Sequence, residues 1–298
     1  MVRMPSTTDL PLLCPVCRKP LEHRTAADAG QNRLVCPAGH NFDAARQGYF
    51  NLLVGKGTAF EADTADMVQA RSDFLSAGHY RPLATAVAAA VVPCLPEERG
   101  AVLDAGTGTG HYLRAVLDQA AAQNRRHVAA LGLDISKFAL RRAARLNPEA
   151  MNLVCDVWQP LPLGDDALDA ITVIFAPRNA AEFARILRPA GRLVVVTPRS
   201  GHLAAIAAAT GMLGIEEDKE ARLAEAMGSH FDAETSTDVE IPLALTRPEA
   251  ADLAYMGPAG HHLDRLDLSE RLLALPEPVQ AEARFRLMVF RPKEPAAT

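Results

Sequence analysis

The stretch Val102-Leu103-Asp104-Ala105-Gly106-Thr107-Gly108-Thr109-Gly110 is an apolar run that stops on an acid and opens into three glycines at alternate positions. No other feature limits the fold so tightly. Without a Cβ, a glycine lets the backbone turn sharply and approach a ligand closely, and such a loop belongs where a buried strand ends at the edge of a sheet. The surroundings fit. Short apolar runs at 101–104, 128–134, 152–155, 168–175 and 192–197 alternate with helical patterns such as 113–122 and 138–146. That rhythm predicts an α/β fold with a parallel, doubly wound sheet. Upstream, Met67, Ala70, Phe74 and Leu75 share one helical face, and Leu83, Val87 and Val91 share another after Pro82, with Pro93 ending that helix. Downstream, 216–238 reads as charged and irregular, and two late strands follow at 241–245 and 283–290.

Glycine spacing narrows the ligand. A dinucleotide site wants G-x-G-x-x-G, whose third glycine would fall at His111. The spacing here is G-x-G-x-G with an acid two residues ahead, which resembles the Rossmann-like class I S-adenosylmethionine (SAM) methyltransferases. SAM has no pyrophosphate, so the loop with Gly106, Gly108 and Thr109 needs no phosphate cradle; an acid, Asp104, suits the cationic methionine end instead. Asp134, thirty residues on and at the end of the second strand, is placed to accept hydrogen bonds from the ribose hydroxyls. Asp156, after the third strand, is placed to meet the adenine amino group, with a helix N-cap as its structural alternative. The run Leu187-Arg188-Pro189-Ala190-Gly191 before the fifth strand resembles a turn common in these enzymes.

The N-terminal region has a different composition. Cys14-Pro15-Val16-Cys17 and Cys36-Pro37-Ala38-Gly39-His40 give C-x2-C and C-x3-H, two tight turns that each aim two ligands at one ion. Cys14, Cys17, Cys36 and His40 make a closed, tetrahedral and therefore structural zinc site. So small a unit buries little core, and the metal supplies its folding energy. Five cysteines, an odd number in 298 residues, argue against a disulfide scaffold, and Cys94 and Cys155 lack ligand spacing. Residues 43–53 read as a connector. The length allows two domains, a zinc ribbon at 1–57 and a methyltransferase domain with its linker helices at 58–298. No stretch reaches the ~20 apolar residues of a membrane span, and no signal-peptide core precedes Cys14, so a cytoplasmic protein is expected.

A net charge of −5 by itself speaks against nucleic acid. Residues 1–57, however, hold seven Lys or Arg against four acids, a balance of +3 that leaves −8 for the rest. A basic zinc ribbon on an acidic body favours RNA over a small substrate, with Arg46 and Lys56 as phosphate contacts.

The segments Cys36–Asp43, Gly48-Tyr49-Phe50-Asn51-Leu52-Leu53, Asp66-Met67-Val68-Gln69-Ala70-Arg71 and Gly78-His79-Tyr80-Arg81-Pro82-Leu83 resemble the 23S rRNA guanine-N1 methyltransferases, which include tylosin-resistance enzymes. The likeness spans nearly the whole chain, from Cys14 to Pro292. Asp156-Val157-Trp158 and Phe175-Ala176-Pro177-Arg178-Asn179 look closer to the tylosin-resistance branch. Where some members carry Gly-Cys-Gly-Glu-Gly, this chain has Gly106-Thr107-Gly108-Thr109-Gly110, which keeps the backbone role. The resemblance implies zinc on the four ligands named above. It implies SAM contacts at Tyr80, Gly108, Thr109 and His202, and a homodimer whose cleft takes an rRNA hairpin near the peptide exit tunnel. From the residues alone, Tyr80 is a helix-end aromatic and His202 a helix N-terminal residue.

Guanine N1 carries a proton at neutral pH, so methylation there requires an unstacked base, a proton acceptor near N1 and a donor near O6, where negative charge develops. Arg178 or Asn179 is the expected donor; the sequence singles out no base. The chain lacks the Asn/Asp-Pro-Pro-aromatic motif of amine methylases and any Pro-Cys after the glycine loop. Two other functions compete. A small-molecule methyltransferase would have no use for a basic zinc ribbon, and a non-catalytic SAM- or RNA-binding protein would not need to keep Asp104, the glycines and Asp134.

Overall fold

The computed structural model describes residues 10–294 apart from 26, 28–30, 56 and 211–225. Three short strands, β1 (Glu22–Arg24), β2 (Arg33–Val35) and β3 (Asn41–Asp43), form an antiparallel sheet of their own in the order β1-β2-β3. The next strand, β4 (Tyr49–Asn51), leaves that unit and pairs in parallel with β7 (Met151–Val154) at the edge of a second, eight-stranded sheet. Within the expected connector, 43–53, residues 49–51 are thus a strand of the large sheet.

Two helices come next, α1 (Ala65–Ser76) and α2 (Arg81–Val91). Thr64 caps α1 by accepting the Met67 N–H, and Pro82 sits in the first turn of α2, where its missing N–H is no loss. The alternating part then runs β5 (Ala101–Ala105), α3 (His111–Ala122), β6 (Ala129–Asp134), α4 (Lys137–Leu146), β7, β8 (Leu168–Ile174), α5 (Ala180–Ile186), β9 (Leu187–Pro198) and α6 (Ala204–Thr210). A C-terminal part adds β10 (Phe231–Leu245), α7 (Arg247–Tyr255), α8 (Arg265–Leu272) and β11 (Val279–Pro292). The strand order is β10-β11-β9-β8-β5-β6-β7-β4. Strands β4 to β9 are parallel, while β11 and β10 join antiparallel. The expected doubly wound sheet is present, made mixed by its last two strands. Central β5 and β8 are buried throughout, as strands covered by helices on both faces require.

Two expectations change in detail. The Leu187–Gly191 run belongs to β9 as a bulge: Leu168 pairs with Leu187 but Ala170 with Arg192, so three extra residues loop out. Of the stretch read as irregular, 216–225 lies outside the described residues, whereas from Phe231 onward it is strand β10. That strand is polar because it is an edge, held by ion pairs: Arg192 with Glu234, and Arg199 and Arg286 with Asp238.

The described residues of the N-terminal unit share their core with the large sheet. Leu12, Cys14, Leu34, Cys36 and Phe50 are buried in one continuous cluster with Leu103, Leu131 and Leu153 of the large sheet, Phe183 of α5 and Leu163 of the loop before β8. The opposite face of the sheet buries Phe74, Leu83, Val87, Leu113, Leu253 and Phe285.

Candidate cofactor site and metal centre

In a doubly wound sheet, ligands bind beyond the C-terminal ends of the strands where the order reverses, here between β5 and β8. The glycine loop lies there. Gly106, Gly108 and Gly110 all have positive φ (81°, 54° and 84°), which explains the alternate spacing. A Cβ on Gly106 would lie 2.3 Å from Cβ of Ala176, and one on Gly110 2.5 Å from Nδ2 of Asn147. The N–H groups of Gly106 and Thr107 both donate to Leu133 O at 2.8 Å, tying the loop to the end of β6. Thr109 is buried beside them.

Asp104 is 1% exposed. Its Oδ1 accepts the Thr172 hydroxyl at 2.7 Å, while its Oδ2 is buried without a partner among the described residues. Burial pushes the carboxyl up to about 6, against the nearby hydroxyls of Thr172 and Thr107. A buried carboxylate oxygen left unpaired at a glycine loop fits a cationic ligand group, and SAM brings an ammonium and a sulfonium. Asp134 sits at the end of β6. Its Oδ2 accepts the Gly108 N–H and its Oδ1 the Ser136 N–H, both at 2.8 Å, and burial raises its pKa against those two donors.

Asp156 is buried and caps no helix. Its Oδ1 accepts the Trp158 N–H at 3.0 Å and its Oδ2 the Thr58 hydroxyl at 2.8 Å. Thr58 begins a strap, residues 58–64, that sequence reasoning missed because it has no periodicity. The strap crosses the strand ends: the Ser136 hydroxyl donates to Asp63 O at 2.9 Å, and the Asp63 carboxylate pairs with Arg71. Arg71 also donates to Met256 O at 2.5 Å, and its Nη1 lies 3.6 Å from where a Cβ on Gly108 would be. Beside the strap a cleft of about 490 Å³ opens, lined by Ala62–Asp66 on one side and Ile135–Phe138 on the other.

On the far side of the loop runs a row of rings. Tyr80, at the N-cap of α2, is buried edge-on to Phe74 at 5.0 Å and to Phe285 at 5.1 Å, and burial holds its phenol well above the usual range. His202 lies 4.8 Å from Phe285. Its Nδ1 accepts the Arg284 N–H at 3.0 Å, which leaves the ring proton on Nε2, and burial pushes the imidazole down to about 4, so it is neutral near pH 7. Phe175 joins Phe285 to Tyr112 at 5.2 and 6.4 Å. Phe175 has φ 56° and is 46% exposed, a strained conformation that no sequence pattern announces. The structure thus gathers Tyr80, His202, Asp104 and the glycine loop around the ends of β5 and β8, with Asp134 and Asp156 along the strap side.

The two O6-donor candidates separate. Asn179 caps α5, its Oδ1 accepting the Glu182 N–H at 3.3 Å and its Nδ2 donating to Val157 O at 3.0 Å. Both ends of that side chain are committed. Arg178 is half-buried, has no hydrogen bond or ion pair to another described residue, and has its pKa lowered by burial.

In the N-terminal unit, Cys14, Cys17, Cys36 and His40 bring one ligand atom each to within 4.8 Å of one another. Cys17 and Cys36 Sγ are 3.7 Å apart, and His40 Nδ1 is 3.3 Å from Cys36 Sγ and 3.6 Å from Cys14 Sγ. A tetrahedral zinc with ordinary bond lengths needs about 3.8 Å between sulfurs and about 3.5 Å from sulfur to nitrogen, so the donor set fits. Each ligand pair sits on a tight turn with one left-handed residue, Arg18 (φ 58°) or Gly39 (φ 89°), closed by Arg18 N–H to Cys14 O at 2.9 Å and Gly39 N–H to Cys36 O at 2.9 Å. Arg46 is exposed, and Lys56 lies outside the described residues.

A SAM-dependent methyltransferase carrying a structural zinc ribbon is the class that this sheet order, loop and cluster define. Comparison with known proteins refines it. Residues 12–55 match the family model described as "RlmA, N-terminal", and residues 102–191 match "Methyltransferase domain". A provisionally named 23S rRNA (guanine-N(1)-)-methyltransferase of Micromonospora griseorubida is 44% identical over 295 residues, covering 94% of this chain and 97% of that protein. The 23S rRNA (guanine(748)-N(1))-methyltransferase of Streptomyces fradiae is 41% identical over 285 residues, covering 94% and 96%. By contrast, a ubiquinone/menaquinone biosynthesis C-methyltransferase of Syntrophotalea carbinolica is similar over only 33% of this chain. The chain belongs to the RlmA-type 23S rRNA (guanine-N1)-methyltransferase family.

Proposed function

We propose that this chain transfers a methyl group from SAM to N1 of a guanine in a 23S rRNA hairpin, and that the guanine is the position 748 named for the Streptomyces fradiae relative. The observation that carries this reading is similarity along both parts of the chain, zinc unit included, at 94% coverage. The small-molecule alternative draws only on the shared sheet. SAM supplies the electrophilic methyl group. Asp104 would hold its cationic amino-acid end, with Gly106, Gly108 and Thr109 shaping the loop. Asp134 would accept the ribose hydroxyls, Asp156 the adenine amino group, and Tyr80 and His202 would flank the methionine side, His202 through its Nε2–H. Arg178 would face guanine O6, where its fixed charge favours the anion that forms when N1 loses its proton.

The reading keeps the division into a zinc ribbon at 1–57 and a methyltransferase domain at 58–298, with Arg46 and Lys56 on RNA phosphates. It also keeps a homodimer acting in the cytoplasm, and tylosin resistance as its consequence. No described helix is long and apolar enough to cross a membrane. The test is in cells. Disrupting the gene should remove one N1-methylguanine from 23S rRNA and lower tylosin tolerance. Wild type should restore both and Asp104→Asn neither. An unchanged set of methylated guanines would refute the assignment.

A further inference from the structure

Two large rings stand in solvent where the strap meets the rim of the cofactor cleft. Phe60 is 52% and Trp158 48% exposed, with centroids 6.5 Å apart and planes 33° from parallel. Neither fills the core, yet both are fixed by their backbone. Asp156 Oδ1 accepts the Trp158 N–H at 3.0 Å, and Asp156 Oδ2 accepts the Thr58 hydroxyl at 2.8 Å, whose oxygen in turn accepts the Phe60 N–H at 3.2 Å. One buried carboxylate therefore sets both rings. The segment after Trp158 is fastened to the zinc unit: the Arg18 guanidinium donates to Leu161 O at 2.6 Å and Leu163 O at 3.4 Å, and the Leu13 N–H to Pro162 O at 3.0 Å. An exposed aromatic pair is thus continuous with the zinc turns on one side and with the cofactor cleft on the other.

We propose that Phe60 and Trp158 form a stacking platform for an unpaired base of the RNA hairpin, next to the guanine that is methylated. This rests on the rRNA reading above. A guanine whose N1 is to be reached leaves its stack, and its neighbour loses a stacking face. Aromatic side chains replace that face without sequence preference. The adenine of the cofactor is the rival occupant. Half-exposed rings, with the buried Asp156 between them and the sheet, suit a base arriving from solvent better than an enclosed adenine slot.

Trp158 is the only tryptophan in the sequence, so its emission reports on this spot alone. The zinc-loaded full chain is titrated with a stem-loop carrying the target guanine, with the same stem as a blunt duplex lacking a loop, and with SAM alone. The stem-loop should quench Trp158, and the duplex and SAM should not. Phe60→Leu and Trp158→Leu should each weaken stem-loop binding about tenfold, the scale of one lost base–ring stack, with SAM affinity unchanged. Trp158→Phe should recover most of the loss. Quenching by SAM alone, with no further change on adding RNA, would give the pair to the cofactor and overturn the proposal; unchanged stem-loop affinity in both Leu variants would overturn it too. Failure of the wild-type chain to methylate the stem-loop would bring down the rRNA reading itself, and the platform with it.

Discussion

At the scale of single residues, Asp104 carries the most physical content. Its carboxyl is raised to about 6 by burial, so the folded protein holds that proton more tightly than the unfolded chain. The sign follows. In the cofactor-free protein, stability is lost as pH rises from about 4 through about 6, and a cation arriving beside the carboxylate recovers it. SAM affinity should therefore climb about fivefold between pH 5 and 6, about tenfold between pH 5 and 7, and level off above that, measured by calorimetry. Asp104→Asn should abolish the slope and weaken binding by about 1.5–3 kcal/mol, the range for a charged hydrogen bond. A slope that survives the substitution would place the titrating group elsewhere. Gly106→Ala should prevent SAM binding, because φ is 81° there and the new Cβ would strike Ala176. Asp104 and the glycines were legible in sequence because strand, acid and loop are contiguous. Phe175 and Phe285 were not: the first depends on an unusual φ, and the second reaches Tyr80 and His202 only through the tertiary fold.

Elements were legible in proportion to their length and periodicity. Strands β5 to β8 and helices α3 and α4 were found to within a few residues, because their apolar runs are regular; the first five residues of β9 read as a turn, and the short α5 was not assigned. β4 was missed: three residues show no period, and its partner β7 is about one hundred residues away in sequence. The consequence is energetic. Phe50 and the candidate zinc ligands Cys14 and Cys36 share one core with the large sheet, so the zinc unit is not a free bead. Cys36→Ser should release the metal, since the site closes on four ligands, and hydrogen exchange should then rise across 12–55, β4 included, while β5 and β8 stay protected. Metal retained at about one ion per chain would exclude this ligand set.

For the molecule as a whole, charge and shape divide the work. The body is acidic, and on the proposed reading RNA attraction falls to the N-terminal unit, where Arg46 is exposed. Arg46→Glu should weaken hairpin binding across sequences and reduce the slope of log K against log salt by about one, with the target unchanged. Residues 58–64 follow the zinc unit and cross the strand ends, so RNA on the zinc unit and cofactor on the sheet, as proposed, would be neighbours along one strap. This arrangement delivers a methyl group to a ring nitrogen of guanine. The most direct test is transfer from labelled SAM to a 23S rRNA hairpin by the zinc-loaded protein, with the modified atom identified by tandem mass spectrometry of the digested RNA. The expected result is a single N1-methylguanine at the position equivalent to 748. A label on an exocyclic amine, on a ribose, or only on a small metabolite would contradict it.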